Sequence, residues 1–318
     1  MKILINDGIS RAGEQALIDA GFEVIPHKVA QEHLAQYINE NHVEVLLVRS
    51  ATKARKELIE ACPGLKIIGR GGVGLDNIDV DFASQQGIKV IYTPAASSKS
   101  VAEMAFAHLF TMARFLHDSN RRMPLEGDTM FNDLKKQYEA GRELAGKTLG
   151  VVGFGRIAVE TIKIAIGLGM KVVVADIEPI TRDITLEFFD GQKVTFTLSS
   201  GTLNEMLPQA DFISIHVPSQ GAPIIGKAEF DKMKKGVGIV NTARGGVIDE
   251  EALIDAIENK VVAYAGLDVF KSEPNPPISL LMNPELSLSP HIGGSTLEAQ
   301  ERIGLELAEQ IKEFYGVK

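Results

Sequence analysis

The stretch Thr148-Leu-Gly-Val-Val-Gly-Phe-Gly-Arg-Ile-Ala158 decides the fold of this chain. A β-branched run leads into a glycine turn, and the turn opens an amphipathic segment. Gly153 permits the tight turn, Gly155 lets the backbone approach a pyrophosphate, and Ala158 allows the helix to pack closely on the strand. The free amides and the positive dipole at the start of such a helix attract phosphates. The stretch therefore predicts a dinucleotide-binding strand–turn–helix unit.

An acidic residue closes the next predicted strand, Lys171–Ala175. Asp176 lies in the region, about 20 residues beyond the glycine turn, where a carboxylate binds the ribose hydroxyls of NAD. Such a carboxylate also repels the 2′-phosphate of NADP. The pattern favours NAD as the cofactor. The alternative is an aspartate that caps a turn in an unrelated doubly wound sheet.

The composition is that of a globular protein of one or two domains, with 318 residues, 45% hydrophobic and 24% charged. A formal net charge of -9 disfavours nucleic acid as a partner, so an anionic ligand requires local positive groups. The single cysteine, Cys62, excludes an intramolecular disulfide and fits a reducing compartment. No apolar run approaches the ~20 residues that span a bilayer. We expect a cytoplasmic enzyme with no membrane partner, and no residue spacing indicates a metal site.

Short β-branched runs alternate with amphipathic segments along the whole chain, which predicts an α/β fold with parallel sheets. The predicted strands are 2–5, 23–25, 45–48, 66–68, 89–91, 148–152, 171–175, 212–216, 238–241, 263–267 and 286–288. The predicted helices are 12–20, 31–39, 55–61, 101–117, 156–168, 250–258 and one that closes the chain near Phe314.

Two capping boxes, Ser100-Val-Ala-Glu103 and Ser295-Thr-Leu-Glu298, predict where two of these helices begin. The helix 101–117 is apolar on nearly all sides. This pattern predicts either an interior helix or one at a junction between domains or subunits.

A third local feature breaks the α/β alternation, because residues 184–198 alternate at period two about Asp190-Gly191. That segment predicts a hairpin with a two-residue type I′ turn.

Three further segments each follow a predicted strand, where ligands bind in open α/β sheets. They are Asn241-Thr-Ala-Arg244-Gly-Gly, Leu267-Asp-Val-Phe-Lys-Ser-Glu273-Pro and Ser289-Pro-His291-Ile-Gly-Gly294-Ser. Hydride removal from a secondary alcohol requires a base for the hydroxyl proton, and histidine suits that role near neutral pH. A neighbouring carboxylate stabilises the imidazolium, and an arginine binds a 2-hydroxy carboxylate as a fork. The alternatives are a surface ion pair for Arg244 and a turn residue for Glu273.

Together with the turn at Gly153, these segments resemble the D-isomer-specific 2-hydroxyacid dehydrogenases, and in particular the members that oxidise 3-phosphoglycerate for serine biosynthesis. The resemblance covers nearly the whole chain. It implies two doubly wound Rossmann-like domains. Residues 1–98 and 290–318 form a flavodoxin-like substrate domain, and residues 99–289 form the NAD-binding Rossmann domain. The resemblance places the active site in the cleft between the two domains, with hinges at the two crossings.

The resemblance also implies roles for individual residues. Arg244, Glu273 and His291 match the catalytic residues of the family. His216-Val217-Pro218 matches the loop beneath the cofactor, with Val217 where many members have threonine. Ala95–Ser98 departs from the Gly-Asn-Ser stretch of the family. The residues implied in NAD binding are Thr93, Val101, Gly153, Phe154, Gly155, Arg156, Ile157, Asp176, His216, Val217, Pro218, Thr242, Ala243, Arg244, Asp268, His291, Gly293 and Gly294.

Two loops after strands of the first domain are candidates for substrate binding. They contribute Arg49, Ser50, Arg70, Gly71, Gly72, Val73 and Gly74, with Arg244 and His291 from the other segments. The amides of residues 71–74 form a cradle for a carboxylate. The two arginines favour a substrate with more negative charge than lactate. In the alternative, they pair with Asp76 or Asp79.

The leading functional hypothesis is NAD-dependent oxidation of D-3-phosphoglycerate. Reduction of glyoxylate or hydroxypyruvate is the nearest enzymatic alternative, and an NAD(H)-sensing binding protein is the alternative of another class. The apolar helix 101–117 predicts a homodimer through the NAD-binding domains. The chain stops four residues after Phe314, so we expect no additional serine-binding domain and no inhibition by serine.

Overall fold

The computed structural model describes residues 1–317, which divide into two compact units. Unit 1 comprises Met1–Ser100 and the described residues from Gly294 onward, and unit 2 comprises Val101–Gly293. The sequence places these crossings after residues 98 and 289. The observed division therefore leaves His291 in unit 2. No helix among residues 1–317 has the length and apolar character needed to cross a bilayer.

The strands are numbered in chain order. They are β1 (Lys2–Ile5), β2 (Glu23–Ile25), β3 (Val45–Val48), β4 (Ile67–Arg70), β5 (Lys89–Tyr92), β6 (Thr148–Val152), β7 (Lys171–Ala175), β8 (Thr181–Glu187), β9 (Lys193–Gly201), β10 (Phe212–Ile215), β11 (Val237–Asn241), β12 (Val262–Leu267) and β13 (Leu286–Leu288).

The α-helices are numbered in the same way. They are α1 (Arg11–Asp19), α2 (Leu34–Glu40), α3 (Lys56–Ala61), α4 (Val80–Gln85), α5 (Ser98–Ala113), α6 (Leu116–Glu126), α7 (Phe131–Gln137), α8 (Arg156–Gly167), α9 (Leu203–Met206), α10 (Lys227–Phe230), α11 (Glu250–Glu258), α12 (Ile278–Leu281) and α13 (Leu297–Tyr315).

Unit 1 is built on a parallel sheet with the strand order β2-β1-β3-β4-β5, which is the flavodoxin-like order. All four residues of β3 are buried, as expected for a central strand covered on both faces. On one face, α1 and α13 meet at a pair of glycines. A Cβ atom on Gly13 would lie 2.5 Å from the backbone of Gly304, so only glycine permits this approach.

Unit 2 is built on a sheet with the strand order β13-β12-β11-β10-β6-β7-β9-β8. Apart from the β8–β9 hairpin at one edge, its strands are parallel and follow the Rossmann order extended by one strand. The order reverses between β6 and β10, the point at which this fold binds its ligand. The predicted α/β class with two doubly wound sheets is therefore confirmed.

Both predicted capping boxes are wrong. Helix α5 begins at Ser98, so Ser100 lies inside it and bonds its Oγ to Oγ1 of Thr296 at 2.8 Å. Helix α13 is capped by Thr296 itself, whose side chain accepts the amide of Ala299. In both segments, a hydroxyl residue one or two positions from the predicted cap lies at the start of the helix. A Ser/Thr-rich stretch therefore fixes a helix start only to within a residue or two.

The predicted helix 101–117 ends early. Phe115 has a φ of 57° in the left-handed region, which separates α5 from α6.

The hairpin predicted at residues 184–198 is present, but its turn differs from the predicted type I′. Only Gly191 of the turn has positive φ, and Phe188 donates its amide to Gln192 and accepts from Gly191. This is a three-residue turn closed by a glycine bulge, a common alternative that an Asp-Gly pair also permits.

Candidate active site

His291 and Glu273 form a hydrogen-bonded pair in unit 2. Nδ1 of His291 lies 2.8 Å from Oε2 of Glu273, and Oε1 of Glu273 accepts the amide of Phe270 at 2.9 Å. The side chains are 46% and 36% exposed, so Nε2 of His291 is accessible to a small molecule. The pair lines a cavity of about 420 Å³, whose other lining residues are apolar, such as Leu281 and Leu288, except for Ser289.

The carboxylate of Asp268 holds the turn that carries His291. Asp268 is 1% exposed, and it accepts the amides of Ile292 at 2.8 Å and Gly293 at 2.7 Å. Oγ of Ser289 donates to the same carboxylate at 2.6 Å. The turn keeps His291 at a φ of 54°, a conformation that a non-glycine residue retains only when its surroundings enforce it. Asp268 therefore fixes the backbone that follows His291 and binds the side chain of Ser289, two residues before it.

Arg244 lies in the loop that follows β11. Asn241, at the end of that strand, donates from Nδ2 to the carbonyl of Arg244 and accepts the amide of Ala243. The next residue, Gly245, packs directly on the chain near Glu273, because a Cβ atom there would lie 1.9 Å from the carbonyl oxygen of Phe270. The loop of Arg244 and the loop of Glu273 are thus in backbone contact within unit 2.

The glycine turn after β6 has the geometry that the sequence predicts. Gly153 has a φ of 90°, and a Cβ atom on it would lie 2.7 Å from the carbonyl oxygen of His216. Gly155 forms the N-cap of α8, where no side chain caps the first amides, and a Cβ on it would meet no atom within 4 Å. Space and free amides at a helix start fit the pyrophosphate of a dinucleotide.

Asp176 is tied to this turn. Its Oδ2 accepts the amide of Phe154 at 2.7 Å, and its Oδ1 accepts the amide of Glu178 at 3.3 Å. Each carboxylate oxygen keeps further acceptor capacity, so both remain able to accept ribose hydroxyls. The side chain of Phe154, in contrast, is buried in the core of unit 2, so only its backbone faces the turn.

The loops that follow β10 and β11 contain two buried polar atoms that have no hydrogen-bond partner among residues 1–317. They are Oγ1 of Thr242 and Nδ1 of His216. Nε2 of His216 lies 2.9 Å from Oγ of Ser214, and burial lowers the pKa of His216 to about 3. An orphaned hydroxyl and a neutral imidazole beside the glycine turn fit a ligand that supplies hydrogen bonds. The residues present therefore fit NAD.

The remaining residues implied in cofactor binding lie in two places. Val101 and Gly293 are neighbours in unit 2, where a Cβ on Gly293 would lie 3.7 Å from Val101. Thr93 and Gly294 belong to unit 1, where Oγ1 of Thr93 is buried without a partner and Gly294 packs near Ser97. Their role in binding stays a prediction.

In unit 1, the loop Arg49–Thr52 is held from two sides. Oδ2 of Asp7 accepts the amides of Arg49 at 2.8 Å and Thr52 at 2.9 Å. Nδ2 of Asn77 donates to the carbonyls of the same two residues, and Oδ1 of Asn77 accepts from Nε of Arg70 at 3.1 Å. A single asparagine therefore links both candidate arginines, which leave the adjacent parallel strands β3 and β4.

The predicted cradle at residues 71–74 is only partly available. Gly71 donates its amide to the carbonyl of Val48, and Gly72 donates to the carbonyl of Arg70. Within residues 1–317, the amides of Val73 and Gly74 remain for a ligand. Arg70 donates from Nε to Asn77. The alternative, in which the arginines pair with Asp76 or Asp79, stays a prediction.

Sequence reasoning missed the residues that position this site. Asp7 and Asn77 lie in loops with no motif, and their function depends on contacts with residues far along the chain. His108 belongs to none of the predicted site segments, yet its ring bonds to Ser289, two residues before His291. The one signal for Asp7 is its position two residues after β1, at the carboxyl edge of the sheet.

Comparison with known proteins agrees with this geometry. Residues 106–293 match the family model of the D-isomer specific 2-hydroxyacid dehydrogenase, NAD binding domain. This chain belongs to that family. It is an NAD-dependent oxidoreductase, because the matched domain is the one that binds NAD and its glycine turn fits the cofactor.

Among its relatives, a hydroxypyruvate reductase of Thermotoga maritima is 41% identical over 99% of this chain and 99% of its own length. A D-3-phosphoglycerate dehydrogenase of Bacillus subtilis is 37% identical over 98% of this chain, which spans 57% of that protein. Among solved structures, a glyoxylate reductase from Paecilomyes thermophila has a TM-score of 0.81 at 29% identity, covering 98% of this chain and 94% of that one.

Proposed function

We propose that this dehydrogenase oxidises D-3-phosphoglycerate to 3-phosphohydroxypyruvate with NAD. The observation that carries the proposal is the pair of arginines in unit 1. Arg49 follows β3, and Arg70 ends the adjacent strand β4. Asn77 joins the two residues, because it donates to the main-chain carbonyl of Arg49 and accepts from Nε of Arg70. Two guanidinium groups on one rim suit a substrate that has a phosphate in addition to a carboxylate, because arginine binds both groups as a fork.

The residues of unit 2 supply the chemistry. Bound NAD provides the acceptor for the hydride. Nε2 of His291 accepts the proton of the 2-hydroxyl, and Glu273 stabilises the imidazolium that results, since its carboxylate contacts Nδ1. Arg244 binds the substrate carboxylate and polarises the oxygen that becomes the carbonyl. Asp268 keeps His291 in place through the two amides that follow it.

A second candidate is the reduction of hydroxypyruvate or glyoxylate with NADH. It is favoured by the relative that matches this chain over the full length of both proteins, a hydroxypyruvate reductase. The same residues serve this reaction in reverse, with protonated His291 as the proton donor. The two candidates differ in the phosphate, so the arginines of unit 1 distinguish them.

The test compares kcat/KM for D-3-phosphoglycerate, hydroxypyruvate and glyoxylate in the wild type and in Arg49→Gln and Arg70→Gln. Loss of a charge-assisted hydrogen bond costs about 1.5–3 kcal/mol, so we expect kcat/KM for phosphoglycerate to fall about 10–100-fold. The unphosphorylated acids are expected to change less. Arg55→Gln is the matched control, because Arg55 bonds to the carbonyl of Asp76. A wild type that prefers hydroxypyruvate would favour the second candidate.

We also propose that the chain forms a homodimer through unit 2. The support lies mainly beyond α5, where large apolar side chains are exposed in and around α6 and α7. They are Phe110, Leu116, Met123, Leu125, Met130 and Phe131. Helix α5 itself is largely buried within unit 2, so the segment 116–131 is a better candidate for the contact than the predicted helix 101–117. Exposed apolar side chains that gather into one patch mark a protein contact.

A further inference from the structure

A buried histidine on α5 bonds to two serines next to the candidate active site. His108 is 4% exposed, with Nδ1 2.9 Å from Oγ of Ser287 and Nε2 3.0 Å from Oγ of Ser289. Gly266 makes room for it, because a Cβ atom there would lie 2.6 Å from Cβ of His108. A side chain that only filled this space would not need a hydrogen bond on each of its ring nitrogens.

The directions of these hydrogen bonds follow from Asp268. Its two oxygens accept backbone amides, so the group is a carboxylate that can only accept. Ser289 therefore gives its single proton to Oδ1 of Asp268. Its Oγ is then left to accept a proton from Nε2–H of His108. Nδ1 of His108 accepts in turn from Ser287, so every group has a partner.

This arrangement requires a neutral His108 in the Nε2–H form. Burial lowers the pKa of His108, and that effect outweighs the opposing charge of Asp268. His117 is the other titratable group that acts on it, and it lowers the pKa further. The ring is thus an uncharged donor of fixed direction in the interior of unit 2.

We propose that His108 is a positioning residue for His291. Its Nε2–H fixes the hydroxyl of Ser289, which orients the carboxylate of Asp268, and Asp268 holds the two amides that follow His291. The inference rests on the proposed function, in which His291 accepts the substrate proton. Without the bond from His108, the hydroxyl of Ser289 is free to rotate, and the turn that carries His291 loses one of its restraints. Small errors in the placement of a reacting group lower the rate markedly.

Three substitutions separate this role from simple packing. His108→Phe keeps the ring and removes both nitrogens. In His108→Gln the side-chain amide reaches the position of Nε2 and donates to Ser289, whereas the shorter amide in His108→Asn reaches only the position of Nδ1. His117→Gln is the matched control, because His117 bonds to the carbonyl of Pro284 instead.

We expect kcat for hydroxyacid oxidation to fall about tenfold in His108→Phe and His108→Asn, a change of about 1.4 kcal/mol in the activation barrier. We expect His108→Gln and His117→Gln to remain within about twofold of the wild type by the same relation. The KM for NAD is expected to stay unchanged in His108→Gln and His117→Gln, which keep the restraint on this turn. Equal losses in the Phe, Asn and Gln substitutions, together with lower thermal stability, would assign His108 to packing and overturn the proposal.

A second readout does not depend on any substrate. Hydrogen exchange at the amides of Ile292 and Gly293 reports how firmly Asp268 holds the turn. We expect faster exchange at these two amides in His108→Phe and His108→Asn, and wild-type exchange in His108→Gln. Unchanged exchange in all three would refute the positioning role even in an active enzyme. If the wild type oxidises no hydroxyacid while the exchange pattern is as expected, the proposed function fails and the network stands.

Discussion

Nδ1 of His291 lies 2.8 Å from Oε2 of Glu273, and the second oxygen of Glu273 is fixed by the amide of Phe270. The carboxylate can only accept, so it selects the Nδ1–H form of the imidazole and leaves the lone pair on Nε2 for the substrate. Contacts within unit 2 therefore determine that Nε2 of His291 is the proton acceptor.

Glu273→Gln tests this relationship. The glutamine keeps a hydrogen bond to Nδ1 but removes the negative charge beside the imidazolium. We expect kcat for oxidation to fall by about 10–100-fold, which is less than the ~10²–10⁴-fold that a complete general base contributes, because His291 itself is retained. The acid limb of the pH–rate profile should move to lower pH, because the proton on His291 is then held less strongly. An unmoved profile would show that Glu273 does not act through His291.

Asp176 should determine the choice between NAD and NADP. In Asp176→Asn the repulsion of a 2′-phosphate is lost, so the ratio of kcat/KM for NAD to that for NADP should fall by about tenfold or more, equivalent to ~1.4 kcal/mol. Asp183→Asn is a suitable control, since Asp183 bonds to Thr197 on the exposed hairpin. A wild type that prefers NADP would contradict the assignment of Asp176.

His216 should make stability depend on pH. Its pKa is about 3 in the folded chain and about 6.5 when unfolded, so the unfolded state binds more protons between these values. Stability is therefore lost as the pH falls through this window, by up to about 1.4 kcal/mol per pH unit. The free energy of unfolding, measured with urea, should decrease between pH 7 and pH 5 in the wild type. In His216→Gln this decrease should be about 2 kcal/mol smaller.

The exposed His33 provides the control for that experiment. His33→Gln should leave the acid dependence of the free energy of unfolding as it is in the wild type. If His216→Gln loses as much stability as His33→Gln between the two pH values, then His216 is not held neutral in the folded state.

The homodimer is tested by charge substitution on the exposed segment. Light scattering should give about twice the chain mass of 34.4 kDa for the wild type and the chain mass itself for Leu125→Glu with Phe131→Glu. Phe189→Glu, at the exposed tip of the hairpin, should remain dimeric. A wild type that is monomeric and fully active would contradict the proposed interface.

The fold was predictable where the pattern is local. The alternation of β-branched and amphipathic runs located the strands, and the turn at Gly153 identified the dinucleotide unit because its backbone requirement is specific to glycine. Helix starts were less predictable. Ser98, Ser100, Ser295 and Thr296 are all suitable caps by chemistry, and only tertiary contacts select among them, such as the bond between Ser100 and Thr296.

The groups that orient the site could not be predicted, because they act across the chain. Asp7 holds the loop at Arg49 from 42 positions away, and His108 reaches Ser289 across 181 positions. A lone aspartate or histidine carries no local signal for such a contact. No motif in the sequence connects His108 with the site, although its ring lies two hydrogen bonds from the carboxylate that holds the His291 turn.

The most direct test of the account is the initial rate of NADH formation from NAD and D-3-phosphoglycerate, measured for the wild type and for His291→Ala. We predict steady turnover by the wild type and a rate about 10²–10⁴-fold lower in the variant, as expected for a lost general base. Binding of NADH should be retained in both proteins, since the glycine turn is untouched. Equal rates in the two proteins, or no NADH from the wild type with D-3-phosphoglycerate, would contradict the central claim.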